Sequence, residues 1–454
     1  MIFRTNDVRG VYGKDFDDDT AERLGRAFGS FIGSGKKIIV SRDVRPTGEK
    51  IKERFIKGAV SVGCDVVDIG VATTPMMYFA VHRENFDGGA SITASHNPSD
   101  WNGFKLVGKK ASQFHTGGGL EKIKEKFVGE IPAVNSSFGK SLKKSIKSEY
   151  ESFLLSKIKK HSPLKIVIDP GNGAACGIAE EVLRRMGHEV FVINGNPDGT
   201  FPSRPSDPSE KNVSDLKREV LSRGADIGMA FDGDADRLGL VDGLGRYVSS
   251  GNITIPIFAR HYLSREKGAA VVYDVCCSSC VEESIKEEGG IPVVSKVGQP
   301  AIRKKMEEVG AVFGGEYSSH LNFSEIENFD DAIFAALKMV EIISDSGQKM
   351  SDLVDSVRKY PTSRLEEIYC EGLGFEKRDG IVKEVGKFLE KIGHDIIDID
   401  GVKAHNSDGW VLIRASNTMP TIKINAEAKT TDAANRMLND AVEAVKAEIR
   451  RRTE

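Results

Sequence analysis

The chain has 454 residues, 39% of them hydrophobic and 29% charged, and its formal net charge at pH 7 is −3. A surface so close to neutral has no general field that attracts nucleic acid or an anionic membrane, so we expect neither as a partner. No apolar run approaches the roughly 18 residues that span a bilayer, and the N-terminus lacks the apolar core of a secretory signal. Six cysteines are far fewer than a disulfide scaffold needs. These features predict a cytoplasmic protein.

One pattern occurs three times along the chain: a β-branched strand, a polar turn, an amphipathic helix, a glycine and a second short strand. The three copies begin with IIVSRDVR, IVIDPGNG and AVVYDV. Strands that alternate with helices, and that are too apolar for a one-sided sheet, predict mostly parallel α/β sheets covered on both faces. A size of about 150 residues per domain predicts three or four domains in total.

The C-terminal part has another pattern. The segment IIDIDGVKAHNSDGWVLIRAS predicts strands joined by a polar turn, and TIKINAEAK is followed by an amphipathic helix from Asp432. The predicted fold class is therefore three related α/β domains with mixed or parallel sheets and a smaller C-terminal α+β domain. Lysine-rich, serine-rich and proline-containing segments place the predicted domains at residues 1–148, 149–250, 251–361 and 362–454.

The segment GGASITASHNPSDWNGFKL, residues 88–106, is an apolar strand that ends in small and polar residues around Ser95. A serine at a strand end is presented to ligands, its glycine neighbours let the backbone approach one, and Lys105 adds a cation. Adjacent side chains on a strand point to opposite faces, so we expect His96 to be poorly placed as a base for Ser95. A polar turn without chemistry is the alternative interpretation.

In the segment DIGMAFDGDADR, a buried strand leads into Asp232, Asp234 and Asp236, with Arg237 directly after them. Alternating carboxylates around a tight turn suit a hard divalent cation such as Mg²⁺, and an arginine beside it can hold phosphate oxygens. An EF-hand loop is disfavoured, because its twelfth position, Gly243, lacks the required glutamate. A solvated acidic loop is disfavoured because carboxylates this close repel one another.

The segment VFGGEYSSHLNF places a carboxylate, a hydroxyl and an imidazole at alternate positions, Glu316, Ser318 and His320. A carboxylate can accept hydrogen bonds from two vicinal sugar hydroxyls, and a histidine can assist proton transfer to or from a hydroxyl. The pattern predicts polyol recognition, and a surface loop without function is the alternative.

The segment VLIRASNTMPTIKI predicts a turn between two strands that carries Arg414, Ser416, Asn417 and Thr418. An arginine with hydroxyl and backbone N–H donors can hold a dianionic phosphate without a metal. A β-turn stabilised by its own Ser and Asn side chains is the alternative.

A CxxC pair, Cys277 and Cys280, lies in the third repeat. A redox or half-zinc site would use such a pair, but no second pair of cysteines or histidines stands at metal-binding spacing. We interpret these residues as small residues that open a helix after a strand.

Together, TASHNP with NGFK, DGDADR, GGExSxH and RxSxT resemble the α-D-phosphohexomutase superfamily over the whole chain and in its order, closest to the phosphomannomutase/phosphoglucomutase branch. The opening FRTNDVRG, which contains Arg9, resembles the start of that family. The resemblance implies four domains around a central cleft, with one functional segment from each domain. One departure is Ser319, where many members have glycine.

The resemblance also implies roles for individual residues. Ser95 would carry a phosphoryl group and, with Asp232, Asp234 and Asp236, would bind one Mg²⁺ ion. Glu316, Ser318 and His320 would contact the sugar, and the phosphate that is not transferred would be held by Arg414, Ser416, Asn417 and Thr418. Charge and proton transfer would come from Arg9, His96, Lys105, Arg237 and His320.

The activity implied by the resemblance is the interconversion of hexose 1-phosphate and hexose 6-phosphate, for mannose or glucose or both. A hexose 1,6-bisphosphate would be the intermediate and activator, and the protein would be a monomer or homodimer. The alternatives are a phosphoglucosamine mutase, a magnesium-dependent sugar phosphatase and a non-catalytic sugar-phosphate sensor.

Overall fold

The computed structural model describes residues 2–130, 138–159, 162–416 and 419–453. Within these residues the strands form four sheets, of six, four, five and five strands. We number the domains one to four by these sheets. The predicted class, three α/β domains followed by an α+β domain, is confirmed. No helix among the described residues is both long and apolar enough to cross a membrane.

Domain one has a sheet with the strand order β1-β5-β4-β2-β3-β6, covered by four helices. Its strands are β1 (Val8–Val11), β2 (Lys37–Arg42), β3 (Asp65–Val71), β4 (Gly88–Ile92), β5 (Trp101–Gly108) and β6 (Ser141–Lys143). Its helices are α1 (Asp18–Ile32), α2 (Gly48–Ser61), α3 (Thr74–Arg83) and α4 (Leu120–Val128).

Domain two has the strand order β10-β9-β7-β8. Its elements are α5 (Lys147–Ser156), β7 (Lys165–Asp169), α6 (Ala179–Arg185), β8 (Glu189–Val192), α7 (Ser214–Arg223), β9 (Ile227–Phe231) and β10 (Leu238–Asp242).

Domain three has the order β12-β11-β13-β14-β15. It contains α8 (Gly251–Arg265), β11 (Ala270–Asp274), α9 (Ser279–Glu287), β12 (Ile291–Ser295), α10 (Gln299–Val309), β13 (Phe313–Gly315), β14 (Leu321–Phe323), β15 (Phe329–Asp330), α11 (Ala332–Ser346) and α12 (Met350–Asp355).

Domain four is an antiparallel sheet, β16-β20-β19-β18-β17, with helices α13 and α14 packed on it. It contains β16 (Glu366–Tyr369), α13 (Phe375–Lys391), β17 (Asp395–Ile397), β18 (Val402–His405), β19 (Gly409–Ala415), β20 (Thr421–Ala428) and α14 (Thr431–Thr453). The predicted boundaries at 250 and 361 lie between sheets, and the one at 148 lies within α5. Their positions stay predictions.

The first three domains share one topological unit. The strands β2, β7 and β11 each pair in parallel with β4, β9 and β13, respectively. Each of these second strands then pairs antiparallel with the next strand in the chain. The three connections are the serine loop (residues 93–100), the metal loop (232–237) and the sugar loop (316–320). The sequence repeat therefore corresponds to a structural repeat that carries a candidate functional segment at the same place each time.

Buried apolar side chains join the first three domains. One continuous cluster includes Met77 of α3, Tyr150 of α5, Phe231 of β9 and Phe334 of α11, all of them buried. Burial of apolar surface contributes roughly 25 cal/mol for each Å², so a shared cluster stabilises the packing of the domains against one another. Domain four has a separate core.

The helices α1 and α2 cross at two glycines. A Cβ atom on Gly25 would lie 2.0 Å from the carbonyl oxygen of Phe55, and one on Gly58 would lie 2.0 Å from that of Glu22. Both neighbours are helix backbone, which has little room to move. The close crossing therefore requires residues without a side chain.

We expect Gly25→Ala to lower the free energy of unfolding by about 1 to 3 kcal/mol, the usual cost of overpacking. Gly380→Ala in α13 is a matched control, because its Cβ would meet only the end of the flexible Arg452 side chain, at 3.0 Å. Urea unfolding followed by circular dichroism compares the two. Equal midpoints would contradict the role of the helix crossing.

Candidate active site

The serine loop brings Ser95 of domain one against the metal loop of domain two. Ser95 is 3% exposed, and its Oγ donates to Asp232 Oδ2 at 2.8 Å. Its backbone has φ of 50°, in the left-handed region that side chains other than glycine rarely adopt. Such a conformation persists only where the surrounding structure fixes it. The predicted nucleophile and a predicted metal ligand are therefore in direct contact.

The expectation that His96 is poorly placed as a base for Ser95 rests on the two side chains pointing to opposite faces, and that geometric premise is wrong. The His96 Nδ1 atom lies 3.3 Å from Ser95 Oγ. Alternation of side chains applies to extended backbone only, and here β4 has ended at Ile92 before the left-handed Ser95 turns the chain. Burial, together with Arg237 and Arg9, lowers the pKa of His96 to about 2, so the ring beside the hydroxyl is neutral.

The metal loop places three buried carboxylates together. One oxygen from each of Asp232, Asp234 and Asp236 lies within 4.8 Å of the others. Asp234 Oδ1 is buried and has no hydrogen-bond partner, and the buried Asp236 Oδ1 lies 3.5 Å from His320 Nε2. Unpaired carboxylate oxygens are costly in a dry site unless a cation meets them. The donor set and its orphaned Asp234 oxygen fit a hard divalent ion. Strands flank the loop on both sides, as the sequence indicated, which separates it from an EF-hand.

Lys105 of domain one supplies a cation to this triplet. Its Nζ donates to Asp234 Oδ2 at 2.7 Å and also contacts Asp236 Oδ2. Burial and repulsion by the neighbouring carboxylates raise the pKa of Asp232 well above its usual value. Burial opposes the charge on Asp236, but Lys105 and His320 hold the pKa of its carboxyl well below the usual value. The cluster is thus only partly neutralised by the protein itself.

Glu316 and His320 of the sugar loop form a hydrogen-bonded network with Arg237. His320 Nδ1 lies 2.7 Å from Glu316 Oε2, and Arg237 Nε donates to His320 Nε2 at 3.0 Å. Glu316 is buried, and its other oxygen accepts from the Gly298 backbone N–H at 2.6 Å. These contacts bring the imidazole to the edge of the metal loop, 3.5 Å from Asp236 Oδ1.

Two protonation states of His320 compete. Burial and Arg237 oppose a positive imidazole, but Asp236 and Glu316 favour one and raise the pKa of His320 to about 10. The bond from Arg237 instead needs an unprotonated Nε2. A cation bound to Asp236 would remove part of the attraction and so favour the neutral ring that the Arg237 contact requires. His320 therefore responds to the charge in the metal loop.

The remaining sugar-loop residues differ in exposure. Ser318 is exposed and lines a cavity of about 470 Å³ together with Arg237 and Tyr247. Ser319 has φ of 70°, which explains why glycine suits this position. Its hydroxyl donates to the Ser249 carbonyl. The extra hydroxyl is thus bonded within the protein.

Arg9, from the N-terminal segment, contacts the serine loop. Its Nη1 donates to Asn97 Oδ1 at 2.6 Å, and its Nη2 donates to Asp7 at 2.5 Å. Its Nε is buried without a partner. Arg9 therefore adds a third cation, besides Lys105 and Arg237, around Ser95.

The predicted phosphate segment, residues 414–418, begins within the last two residues of β19 in domain four. Arg414 Nη2 donates to Asp400 Oδ2 at 2.9 Å, and Ser416 Oγ accepts from the Met419 backbone N–H at 3.1 Å. Asn417 and Thr418 lie outside the described residues. Asp400 Oδ2 also accepts from the backbone N–H of Val297 in domain three, at 3.1 Å. Arg414 is therefore tied to the backbone next to Gly298, which holds Glu316.

Sequence reasoning missed several residues that shape the site. Thr74 Oγ1 donates to Asp234 Oδ2 at 2.5 Å. Asp330 forms a second group of possible ligands with Asp236 and His320, and its own Oδ1 is buried without a partner. Arg45, only 1% exposed, donates to backbone carbonyls of the serine loop. Arg45 is visible in the string RDVR, but nothing in that string indicates its burial.

Cys277 and Cys280 are buried at the start of α9. Burial raises the pKa of both thiols, to about 11 for Cys280. Among the described residues, neither cysteine belongs to a group of side chains that could hold a metal ion. The contacts agree with the interpretation of these residues as packing residues.

Comparison with known proteins gives a consistent result. Four domain families match in order: phosphoglucomutase/phosphomannomutase alpha/beta/alpha domain I over residues 1–130, domain II over 143–245, domain III over 250–360, and the C-terminal domain over 375–444. The chain belongs to the phosphoglucomutase/phosphomannomutase family. The predicted membership of the α-D-phosphohexomutase superfamily is confirmed.

Relatives match along almost their whole length. The phosphoglucomutase/phosphomannomutase of Thermococcus kodakarensis is 35% identical, covering 96% of this chain and 96% of the relative. A probable phosphoglucosamine mutase of Methanopyrus kandleri is 33% identical, covering 98% and 97%. The crystal structure of a phosphoglucomutase/phosphomannomutase family protein from Burkholderia thailandensis has a TM-score of 0.90 at 31% identity and covers 98% and 97%.

We expect Lys105→Met to destabilise the protein by about 3 to 5 kcal/mol, because the change leaves buried carboxylates without a counter-charge. Millimolar MgCl₂ should recover part of this loss in a thermal unfolding experiment. Lys109→Met is the matched control, since the Lys109 side chain is 71% exposed. Its ion pair should contribute little to the free energy of unfolding. A Lys105→Met protein as stable as the control would contradict the electrostatic account.

Proposed function

We propose that this chain is a phosphohexomutase that interconverts hexose 1-phosphate and hexose 6-phosphate, acting on mannose or glucose phosphates or both, through a phosphorylated Ser95. The observation that carries the proposal is the contact of Ser95 Oγ with Asp232, at 2.8 Å, inside a ring of cations from domains one and two. A hydroxyl held against carboxylate ligands and surrounded by cations is suited to receive and return a phosphoryl group.

We propose that Asp232, Asp234 and Asp236, with the phosphate on Ser95, hold one Mg²⁺ ion per chain. The buried Oδ1 of Asp234, which has no hydrogen-bond partner, supports this assignment. The ion would neutralise negative charge on the phosphoryl oxygens. The chain's own cations, Lys105 and Arg237, add to that effect.

The phosphoryl group would pass from Ser95 to a free hydroxyl of the sugar monophosphate, whose proton leaves as the new P–O bond forms. The product at this stage is a hexose 1,6-bisphosphate. Its other phosphate would then return to Ser95, so the net reaction is an isomerisation. We propose that His320, which is hydrogen-bonded to Glu316 and Arg237, moves the proton. Neutral His96 and Arg9 flank the serine.

We propose that the sugar hydroxyls bind Glu316 and Ser318, and that the phosphate not being transferred binds the phosphate segment. The Arg414 Nε is buried without a partner, which leaves a donor for an anion there. Added hexose 1,6-bisphosphate would act as activator by rephosphorylating Ser95. The oligomeric state and the cytoplasmic location stay predictions from the sequence.

A phosphoglucosamine mutase is the second candidate, favoured by the match along 98% of this chain to the relative from Methanopyrus kandleri. Glucose, mannose and glucosamine phosphates differ here only at C2. One altered hydrogen bond is worth about 1 to 3 kcal/mol, so the substrate preference needs a direct assay.

The decisive assay supplies purified protein with Mg²⁺ and a trace of glucose 1,6-bisphosphate, and compares mannose 1-phosphate, glucose 1-phosphate and glucosamine 1-phosphate. We expect conversion of the first two to their 6-phosphates, lost in EDTA and restored by Mg²⁺. Activity on glucosamine 1-phosphate alone would favour the second candidate. Release of inorganic phosphate faster than isomer formation would instead indicate a phosphatase.

We expect Ser95→Ala to lower kcat by roughly 10⁴-fold or more, the scale of losing a nucleophile. Binding of glucose 1-phosphate, measured by calorimetry, should change little, because the sugar and phosphate segments stay intact. Ser112→Ala, at an exposed position of the same domain, is the matched control. Full turnover by Ser95→Ala would end the phosphoserine hypothesis, and binding without turnover by the wild type would indicate a sensor.

A further inference from the structure

The first three domains each place an aspartate at the carboxyl end of a corresponding strand. Asp43 directly follows β2, Asp169 ends β7 and Asp274 ends β11. All three are at most 1% exposed. Burial of a carboxylate is costly unless hydrogen bonds satisfy it, so each must have a defined set of donors.

One oxygen of each aspartate closes the same turn. Oδ1 accepts from the backbone N–H two residues further on, at 3.0 Å from Arg45 N, 2.9 Å from Gly171 N and 2.7 Å from Cys276 N. This is an Asx turn, a local motif that fixes the chain as it leaves a strand. The motif accounts for Oδ1 but leaves Oδ2 free for other contacts.

In domains one and three the other oxygen contacts the functional loop directly, and in domain two it acts through Arg204 on the residue before the loop. Asp274 Oδ2 accepts from the backbone N–H of Tyr317 in the sugar loop at 2.9 Å. Asp169 Oδ2 accepts from Arg204 Nε at 2.7 Å, and Arg204 Nη2 donates at 2.8 Å to the carbonyl of Phe231, directly before the metal loop. Asp43 Oδ2 accepts from the Thr93 hydroxyl in the serine loop at 2.8 Å.

In domain one these contacts hold both peptide groups of Ser95. Thr93 Oγ1 accepts from the Ser95 N–H at 2.8 Å. Arg45, paired with Asp43 through its Nε at 3.1 Å, donates from Nη2 to the Ser95 carbonyl at 2.8 Å. The same guanidinium donates to the Asn97 carbonyl at 2.6 Å. The peptide groups on both sides of the Ser95 Cα atom are thus held by Thr93 and Arg45, and both of these residues are bonded to Asp43.

This arrangement supplies what the left-handed backbone of Ser95 needs. A left-handed residue other than glycine costs roughly 1 to 2 kcal/mol and relaxes unless its neighbours hold it. Relaxation would turn the Ser95 side chain and so break the 2.8 Å hydrogen bond from its Oγ to Asp232. Fixing the two peptide groups therefore fixes the direction of the hydroxyl.

We propose that Asp43 is the positioning residue for Ser95, acting through Thr93 and Arg45. Asp274 would position the sugar loop through its direct hydrogen bond to Tyr317, and Asp169 would position the start of the metal loop through Arg204. The inference rests on the proposed function only for the roles of the three loops. None of the three aspartates touches the reacting atoms in this account.

Thr93→Val tests the contact in domain one, because valine has nearly the shape of threonine and lacks only the hydroxyl. We expect kcat with glucose 1-phosphate to fall by about tenfold or more, since a small misplacement of a reacting group is enough. KM should stay within about twofold, because the sugar and phosphate contacts are untouched. Thr93→Ser, which restores the hydroxyl, should return kcat to within about threefold of wild type.

Asp274→Asn provides the contrasting case. Both oxygens of Asp274 accept backbone N–H groups, whereas asparagine has one oxygen and one NH₂ group. One of the two hydrogen bonds must therefore be lost, and we expect the sugar loop to shift. We expect KM for glucose 1-phosphate to rise by about tenfold while kcat stays within about threefold, the reverse of the Thr93→Val pattern. A general loss of folding would instead lower the activity of both variants alike, and it would also lower their melting temperatures.

The positioning role would be overturned if Thr93→Val kept the wild-type kcat. It would also be overturned if Thr93→Ser lost as much kcat as Thr93→Val. A crystal structure of Thr93→Val separates this role from the proposed function. We expect Ser95 to leave the left-handed region and its Oγ to move away from Asp232. An unchanged Ser95 would overturn the inference, whereas absence of turnover by the wild-type protein would overturn only the mutase proposal.

Discussion

Three carboxylates must lie side by side in a buried loop, and the rest of the site is arranged around that constraint. Asp232, Asp234 and Asp236 are each at most 4% exposed, and burying an unpaired charge costs on the order of several kcal/mol. The groups that offset this repulsion come from elsewhere: Lys105 from domain one and His320 from domain three. Electrostatics therefore favours the assembly in which three domains meet, and that assembly also brings Ser95 to the triplet.

The convergence of the functional loops follows from repetition of one topology. In a parallel sheet the carboxyl ends of the strands lie at one edge, and ligands bind there. The serine, metal and sugar loops each follow the strand paired with β2, β7 or β11, so each domain presents its loop from an equivalent edge. The aspartate at the end of each first strand reinforces this geometry. The shared three-strand unit thus carries a different candidate functional loop in each of the three domains.

Much of the fold could be predicted from the sequence, because apolar periodicity and turn residues are local signals. The repeated units and the residues Ser95, Asp232 and Glu316 were identified from strings that end apolar strands. The relation of His96 to Ser95 was mispredicted, since it depends on a left-handed backbone that no local pattern reveals. Arg45 was missed for a related reason. Its partners, the carbonyls of residues 95 to 101, lie some fifty positions away, and only tertiary structure shows its burial.

The two ends of the proposed substrate site are linked by a single dipeptide. The backbone N–H of Val297 donates to Asp400, which holds Arg414, and the next N–H, that of Gly298, donates to Glu316. Gly298 itself has φ of 117° and directly precedes α10, a backbone conformation that few other residues tolerate. A displacement of domain four would therefore reach Glu316 through two adjacent peptide groups. The proposed mechanism, in which either end of a hexose bisphosphate is accepted, would use such a coupling, because the phosphate and sugar contacts would change together when the intermediate reversed its orientation.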